Sequence, residues 1–363
     1  MFCLASIRSM QLGVLVGVAF AVLPPCSADA RDDDDWKVHK RLLGKEGKGS
    51  VDVSGIACTT SSGFPRLCLV IDDDLPNAQF VTVEDGKLHA GDAVPLIHNA
   101  YDHKPLALDG EGVAFYKDAF YVIGSHGHPR KHTEDCKDPT PSDENRAKIA
   151  AASQIVRIRL NDEVGKTLSM HDVLEINATP KLRQIMIGNA TLKPFVDKCI
   201  EPGDGNGVTI EGIAVMDDRL YAGFRGPSLP GGAPIVSVPL STLFGDGTGG
   251  EELTVVQLEE GQGIRDLAPY KGGLLVLAGP RGSGKGKYDV HWWDTSQTGL
   301  EPVPMKPLGD ITKKAGADTD KKERKPEGLL PLDESRGELR LLILSDGDDA
   351  KEGAPRPVTV KAP

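Results

Sequence analysis

Three glutamates recur in one short sequence motif, and their spacing could bring carboxylates together. The motif occurs five times: SGIA at Ser54, EGVA at Glu111, EGIA at Glu211, RDLA at Arg265 and EGLL at Glu327. Equivalent positions of a repeat meet around a common axis, so carboxylates would face one opening and repel each other unless a cation neutralises them. Oxygen ligands suit Ca²⁺. The predicted metal ligands are Glu111, Glu211, Asp266 and Glu327.

The same carboxylates have a second interpretation. Repeated residues commonly serve the repeat itself. Each glutamate could accept backbone hydrogen bonds from a neighbouring unit and so hold the units together. Acids that pair fully with arginines would favour this structural role, whereas an unpaired ring of acids would favour cation binding. The sequence leaves both interpretations open.

A second set of polar residues follows the β-type run after each motif. They differ between units: Asp72 and Asp73, Ser125 and His126, Arg225, Arg281 and Asp346. Such variation indicates a specialised surface. His126 suits a general base, and Arg225 and Arg265 suit contact with an anion, so these three are the predicted catalytic residues. Salt bridges from the arginines to the glutamates are the alternative. The predicted substrate pocket comprises Asp72, Arg281 and Asp346.

The run LVLAGPRGSGKGK, at 275–287, resembles a phosphate-binding loop but departs from it at two points. Gly286 stands where that loop has Ser or Thr. The following KYDVHWWD has strand character, whereas the loop requires a helix whose N-terminus faces the phosphates. We interpret this run as a strand and a glycine-rich turn. There is also no G-x-S-x-G nucleophile elbow and no H-E-x-x-H zinc helix.

The spacing of the motif predicts the fold. Successive intervals, measured at the second motif position, are 57, 100, 54 and 62 residues. Each motif is followed by a turn and a β-type run such as AFYVIGSHG or LRLLILSDG. A repeat of this size, built from short strands, is typical of a β-propeller. We therefore predict an all-β chain forming one propeller of five or six blades, with a pair of β-sandwiches as the alternative.

The long interval contains a polar segment, residues 128–153, which we interpret as an insertion with a short helix near its end. A sixth blade would require a degenerate unit inside this interval. The predicted domain organisation has four parts: a signal peptide at 1–30, an N-terminal lead-in at 31–50, the propeller at 51–350 and a flexible tail at 351–363.

The N-terminal residues predict export. Arg8 precedes an apolar run at 12–23, and Ala28 and Ala30 form a small-x-small cleavage pattern. The apolar run is too short for a membrane span, so we expect a periplasmic or extracellular protein. The net charge of −11 disfavours nucleic acid and anionic membranes as partners. We expect a monomer whose partner is a small anionic molecule or another protein.

Four cysteines follow the predicted cleavage site: Cys58, Cys68, Cys136 and Cys199. An even number in an exported protein favours disulfides. Cys58 and Cys68 flank a turn-rich segment and are expected to pair, which would leave Cys136 and Cys199 to form the second bond. Three pairings are formally possible. The absence of a C-x-x-C pair argues against zinc.

Several sequence blocks resemble a known family. TIEGIAVMDDRLYAGFRGP, GQGIRDLAPYKGGLLVLAGP, VHWWD and KPEGL resemble, in this order, the signature blocks of a bacterial domain of unknown function numbered thirty-six sixteen. The resemblance extends over roughly residues 54–347. It implies a propeller-like fold and carries over no activity. The EG repeats are also similar to those of phytase-like and esterase-like propellers, which is an analogy of fold.

Two functional hypotheses follow. In the first, an exported propeller holds Ca²⁺ on its acidic ring, and a metal-activated water hydrolyses an anionic ester that the arginines neutralise. In the second, the propeller is a non-catalytic scaffold that binds a ligand or a protein. The sequence identifies neither substrate nor partner.

Overall fold

The computed structural model describes residues 34–128, 141–162, 165–199, 206–282, 285–318 and 324–363. The predicted signal peptide lies outside these residues. Strands dominate the described chain because most segments alternate β-branched or aromatic residues with small or polar ones over five to nine positions. None of the described helices is long and apolar enough to cross a membrane.

The first two sheets contain the N-terminal half of the strands. The first has the order β1-β5-β4-β3-β2 and comprises β1 (Lys37–His39), β2 (Val53–Cys58), β3 (Arg66–Asp72), β4 (Asn77–Glu84) and β5 (Lys87–Pro95). A small hairpin joins β6 (Ala100–Tyr101) to β7 (Lys104–Pro105). The second sheet comprises β8 (Gly110–Tyr116), β9 (Ala119–Gly124), β10 (Ile155–Leu160) and β11 (Val173–Thr179).

Three further sheets follow in chain order. The third comprises β12 (Thr209–Met216), β13 (Arg219–Gly226), β14 (Gly232–Pro239) and β15 (Glu252–Gln257). The fourth comprises β16 (Gln262–Tyr270), β17 (Gly273–Pro280), β18 (Asp289–Trp293) and β19 (Lys306–Asp310). The fifth comprises β20 (Lys325–Ser335), β21 (Glu338–Asp346) and β22 (Arg356–Lys361). The α-helices described are α1 (Asp143–Ala152), α2 (Lys181–Gly188) and α3 (Leu240–Phe244).

These sheets are the five blades of a β-propeller. The innermost strands β2, β8, β12, β16 and β20 pack side by side in a closed ring, each against its two neighbours. Five apolar clusters lie between successive blades, including one between the fifth blade and the first. The propeller prediction is confirmed with five blades, and strands of the second blade and helices α1 and α2 occupy the described parts of the long interval.

The motif glycines are required because the innermost strands approach each other closely. A Cβ atom on Gly55 would lie 2.9 Å from the Cα of Gly112 in the next blade. A Cβ atom on Gly112 would lie 2.8 Å from the carbonyl oxygen of Glu211 in the blade after that. Both distances are below the contact that carbon atoms tolerate, so the motif reflects packing around the axis.

The ring is closed by contacts between the two ends of the described chain. The carboxylate of Asp35 accepts hydrogen bonds from both terminal nitrogens of Arg324, at 2.9 and 2.8 Å, and from Nε of Arg356 at 2.7 Å. The backbone N–H of Trp36 donates to the carbonyl of Pro355 at 2.6 Å. Strand β1 pairs in parallel with β5 at the outer edge of the first blade.

The prediction of a flexible tail at 351–363 was wrong. Residues 356–361 form β22, the outer strand of the fifth blade, and pair along β21. Val358 and Val360 of this strand are buried, because their alternation with polar residues directs both side chains into the fifth blade's core cluster.

The disulfide predicted between Cys58 and Cys68 is confirmed. It joins directly paired residues of β2 and β3. Cys199 is also disulfide-bonded. The predicted pairing of Cys199 with Cys136 lies outside the described residues, because Cys136 is not among them.

Candidate functional site

The first residue of each motif bulges out of the strand pairing at one face of the propeller. In each blade, the register between the innermost and second strands skips one residue at this point. The skipped residues are Ser54, Glu111, Glu211, Arg265 and Glu327. A bulge re-aims the side chain it carries. We call this face, where the innermost strands begin, the entry face.

The fourth blade therefore departs from the predicted ring of acids. Arg265, and not Asp266, is equivalent to the glutamates, whereas Asp266 stands at the glycine position. Asp266 is buried and accepts backbone hydrogen bonds from Leu267 at 2.8 Å and from Leu329 at 2.7 Å, which ties the fourth blade to β20. Burial holds the pKa of Asp266 well above its ordinary value. The structure thus places Asp266 at a junction between blades, where its carboxylate bonds to backbone N–H groups, although the charges of Glu211 and Glu327 lie near enough to raise its pKa further.

Glu211 and Glu327 are joined by arginines. Nη1 of Arg265 donates to Oε2 of Glu211 at 2.9 Å and to Oε1 of Glu327 at 2.5 Å. Nη1 of Arg225 donates to Oε1 of Glu211 at 2.7 Å. All four side chains are buried. We call these four residues the axial ion-pair network.

Backbone carbonyl groups occupy further donors of the two arginines. Nε of Arg225 donates to the carbonyl of Arg281 at 2.6 Å, and Nη2 of Arg265 donates to the carbonyl of Pro280 at 2.8 Å. The network spans the third, fourth and fifth blades. This geometry favours the second interpretation given above, in which the repeated charged residues hold the blades together.

The pKa of Glu327 shows the effect of burying these charges close together. Burial, with the charges of Glu211 and Asp346 nearby, raises its pKa to about 8, although Arg265 acts in the opposite direction. The hydroxyl of Ser54, the equivalent residue of the first blade, donates to Oε2 of Glu327 at 3.4 Å. The network therefore extends to the first blade.

Glu111 lies in a different environment. One carboxylate oxygen from each of Glu111, Asp73 and Asp109 lies within 4.8 Å of the others. A second group with the same spacing comprises Asp52, Asp73 and Asp74. Asp73 belongs to both groups. We call these five residues the acidic mouth: Asp52, Asp73, Asp74, Asp109 and Glu111.

The charges of the acidic mouth act on one another. Burial raises the pKa of Asp73 well above its ordinary value, and the nearby charges of Asp109 and Asp74 raise it further. Burial, with the charge of Asp74, raises the pKa of Asp52 to about 6. Lys45 forms an ion pair with Asp74. Among the described residues, this lysine neutralises part of the negative charge of the mouth.

The predicted substrate-pocket residues fall into two groups. Asp72 and Asp346 lie beside Asp52 of the acidic mouth. The charge of Asp52 acts on Asp72, and the backbone of Asp52 pairs with that of Asp346 in an isolated β-bridge. Asp72 accepts a hydrogen bond from the Ser50 hydroxyl at 2.5 Å, and burial raises its pKa to about 7. Arg281 follows β17 of the fourth blade and donates to the side chain of Asn206, which precedes β12 of the third blade.

The predicted catalytic residue His126 is enclosed. It is 0% exposed, and burial followed by the nearby charge of Arg183 lowers its pKa to about 3. Neither ring nitrogen has a hydrogen-bond partner among the described residues. No described hydrogen bond or ion pair joins it to Arg225 or Arg265. The three predicted catalytic residues are therefore not brought together in the described part of the chain.

Sequence analysis missed Asp52 and Asp109 because neither belongs to a repeated position. Each stands two residues before the motif, as Asp-x-Ser54 and Asp-x-Glu111, and only the first two blades carry aspartate there. Asp73 follows β3 and meets Asp109 from the next blade. The departure of adjacent blades from the repeat was the signal that could have located this site.

Comparisons with known proteins identify a family. The family model described as "Protein of unknown function (DUF3616)" matches residues 74–360. No curated protein matches the chain. Among solved structures, similarity is found to a GH43 endo-arabinanase from Bacillus licheniformis, at 8% identity over 86% of this chain and 94% of that one, with a TM-score of 0.34.

Two other solved structures show the same level of similarity. The arabinanase Arb43A of Bacillus subtilis has 9% identity over 85% of this chain and 93% of its own, with a TM-score of 0.36. A hypothetical protein from Leishmania major has 10% identity over 91% and 90%, with a TM-score of 0.41. These scores carry no argument about activity, and the propeller assignment rests on the sheet topology given above.

Proposed function

The chain belongs to the DUF3616 family, and we propose that it is an exported, non-catalytic ligand-binding propeller that holds Ca²⁺ in its acidic mouth. The observation that carries this proposal is the convergence of Asp73, Asp109 and Glu111, whose carboxylate oxygens lie within 4.8 Å of one another. Two oxygens bound to the same Ca²⁺ lie at most about 5 Å apart, twice the ordinary Ca–O distance of ~2.4 Å. The spacing suits a shared cation.

The two carboxylate groups define where a cation would sit. Asp73 is common to both, so its carboxylate can share one ion with Asp109 and Glu111 or with Asp52 and Asp74. Lys45 already pairs with Asp74. We assign the cation to the group with Glu111, since each of its three members is an oxygen donor of the kind Ca²⁺ prefers.

The electrostatics support the same assignment. Burial, followed by the like charges around it, raises the pKa of Asp73, which means that its ionised form is disfavoured without a neighbouring positive charge. A bound divalent cation would reverse that balance and favour the ionised form. Ca²⁺ binding would therefore stabilise the entry face as well as fill the site.

Ester hydrolysis has less support than ligand binding. Arg225 and Arg265 donate to buried glutamates, and His126 is fully buried. An anionic substrate at the acidic mouth would thus meet its cation without these three groups. The disulfide between Cys58 and Cys68 supports export, because such bonds persist in oxidising compartments.

Calorimetric titration of the purified chain with CaCl₂, after EDTA treatment and buffer exchange, tests this proposal. We expect saturable binding and a rise in melting temperature. Asp109→Asn and Glu111→Gln should each weaken the Ca²⁺ affinity about tenfold or more and reduce the rise in melting temperature, since each removes one of the few charged ligands. Asp92→Asn is the matched control, because Asp92 is exposed on β5 and makes no described ion pair. Equal Ca²⁺ affinity in all four proteins would contradict the site.

A further inference from the structure

The face opposite the acidic mouth contains a second cavity. It has a volume of about 830 Å³ and is lined by residues from all five blades, near the ends of the innermost strands. We call it the exit pocket. The axial ion-pair network lies about 10 Å away along the strands, because three residues of extended chain separate the two layers. The exit pocket is thus distinct from the entry-face site and does not depend on it.

The motif itself creates this cavity. Its fourth residue is small in four of the five units, and Ala57, Ala114 and Ala268 line the pocket together with Leu330 of the fifth blade. Side chains two positions further along a strand point the same way. They form the next layer of the wall towards the opening: Thr59, Tyr116, Met216, Tyr270 and Leu332. Small residues near the axis and larger ones at the opening leave an open, largely apolar space of ligand size.

Two aromatic rings stand at the opening. Tyr116 and Tyr270 come from the second and fourth blades, and both rings lie beside lysines, at 5.0 Å from Lys117 and 5.6 Å from Lys271. Tyrosine rings at the mouth of an apolar pocket offer flat faces to a planar ligand.

The rim charges are neutralised in pairs. Lys117 pairs with Asp218 at 2.7 Å, Lys271 pairs with Glu334 at 2.6 Å, and Asp333 accepts from Nε of Arg340 at 3.1 Å. A ligand that entered between these paired charges would therefore gain little binding free energy from them.

Arg66 is the exception. It lines the pocket, is 1% exposed, and donates only to carbonyl groups, at 2.8 Å to Gly63, at 2.7 Å to Pro331 and also to Leu332. Among the described residues no carboxylate lies within ion-pair distance of it. These bonds use three of the five N–H donors of a guanidinium group. A buried cation without a carboxylate partner is costly, and a ligand acid would relieve that cost.

We propose that the exit pocket binds an aromatic monocarboxylate. The apolar walls would enclose the ring system, Tyr116 and Tyr270 would stack against it, and the carboxylate would approach Arg66. This assignment follows from charge complementarity, because Arg66 has no described carboxylate within ion-pair distance, although the more distant charge of Asp333 also acts on it.

The test uses the full chain in EDTA, so that Ca²⁺ binding at the entry face plays no part. Three probes are titrated by calorimetry: 2-naphthoate, the neutral analogue 2-naphthalenemethanol, and octanoate. We expect saturable binding of 2-naphthoate and about tenfold weaker binding of the other two, because one lacks the charge and the other lacks the ring. Absence of saturable 2-naphthoate binding, or equal binding of the neutral alcohol, would overturn the proposal. Tighter binding of octanoate would overturn the aromatic assignment.

Variants locate the binding. Ala57→Leu should abolish binding by filling the pocket, and Tyr116→Leu should weaken it several-fold by removing a stacking surface. Tyr116→Phe, which retains the ring, is the matched control and should bind as the unaltered chain does. Circular dichroism establishes that each variant is folded. Unchanged 2-naphthoate affinity in folded Ala57→Leu would place the binding elsewhere and refute the exit pocket as its site.

Discussion

Arg265 in the fourth blade occupies the position that Glu211 occupies in the third, and the two side chains form a buried ion pair of 2.9 Å. A single reversal of charge in the repeat thus converts a set of repelling acids into a connected network. The reversal places a positive charge between Glu211 and Glu327.

Replacing Arg265 should therefore be costly. In Arg265→Met, Glu327 loses a charged partner at 2.5 Å while it stays buried. Removing one member of a buried ion pair costs about 3–5 kcal/mol, because the other charge is left uncompensated. Urea denaturation of Arg265→Met and of the unaltered chain measures this loss in the free energy of unfolding.

The control for this prediction is Arg336→Met, at an exposed arginine with no described ion pair. It should change the free energy of unfolding by less than about 0.5 kcal/mol. A similar small change in Arg265→Met would show that the axial ion-pair network contributes little to the stability of the ring.

The fold was largely predictable from the sequence, whereas the site was not. The glycine at the second motif position recurs because neighbouring strands touch there, as Gly55 and Gly112 do, so a packing requirement produced a readable repeat. Asp109 carries no such signal, and Asp73 was noted only as one of the variable residues that end the second strands. They come from different blades, and only the closed ring brings their carboxylates together.

Other errors had local causes. Asp266 was predicted to join the glutamates because its carboxylate resembles theirs, although it stands one residue later in the motif and bonds to the backbone of Leu329. The strand at 356–361 was missed because it is short and follows a charged segment. Both errors are revealed by the strand pairing in the structure, which places Asp266 at the glycine position and residues 356–361 along β21.

Substitution of a motif glycine tests the packing argument. Gly112→Ala would place a Cβ atom 2.8 Å from the backbone oxygen of Glu211, where no flexible side chain can move aside. Overpacking of this kind typically costs 1–3 kcal/mol or more. Gly188→Ala, at the end of α2 with no atom within 4 Å of the added carbon, is the matched control and should be neutral. Thermal unfolding of both variants would contradict the argument if their midpoints fell equally.

Closure of the ring depends on Asp35. It bridges Arg324, which is buried, and Arg356, and these charges hold the pKa of Asp35 below its ordinary value even though burial acts in the other direction. Asp35→Ala should lower the unfolding midpoint in urea, because the buried guanidinium of Arg324 loses its carboxylate partner. Asp34→Ala, at the exposed neighbouring residue, should have no measurable effect. Equal behaviour of the two variants would exclude a role for this bridge in closure.

The stability contributed by the buried carboxyl groups should decrease as the pH rises from about 4 to 8. The pKa values of Asp52, Asp72 and Glu327 are raised to about 6, 7 and 8, chiefly by burial, whereas carboxyl groups of an unfolded chain titrate near pH 4. Between these limits the folded state binds more protons than the unfolded state. The free energy of unfolding therefore falls with pH across this window.

Melting temperatures measured from pH 5 to 9 in EDTA check this sign. Asp72→Asn should flatten the decline between about pH 5 and 8, because it removes a carboxyl group that resists ionisation in the folded state, while Asp92→Asn should leave the decline unchanged. Ca²⁺ should raise the melting temperature more at pH 8 than at pH 5, since protons compete with the cation for the acidic mouth. A decline as steep in Asp72→Asn as in the unaltered chain would show that this carboxyl group ionises in the folded protein without cost.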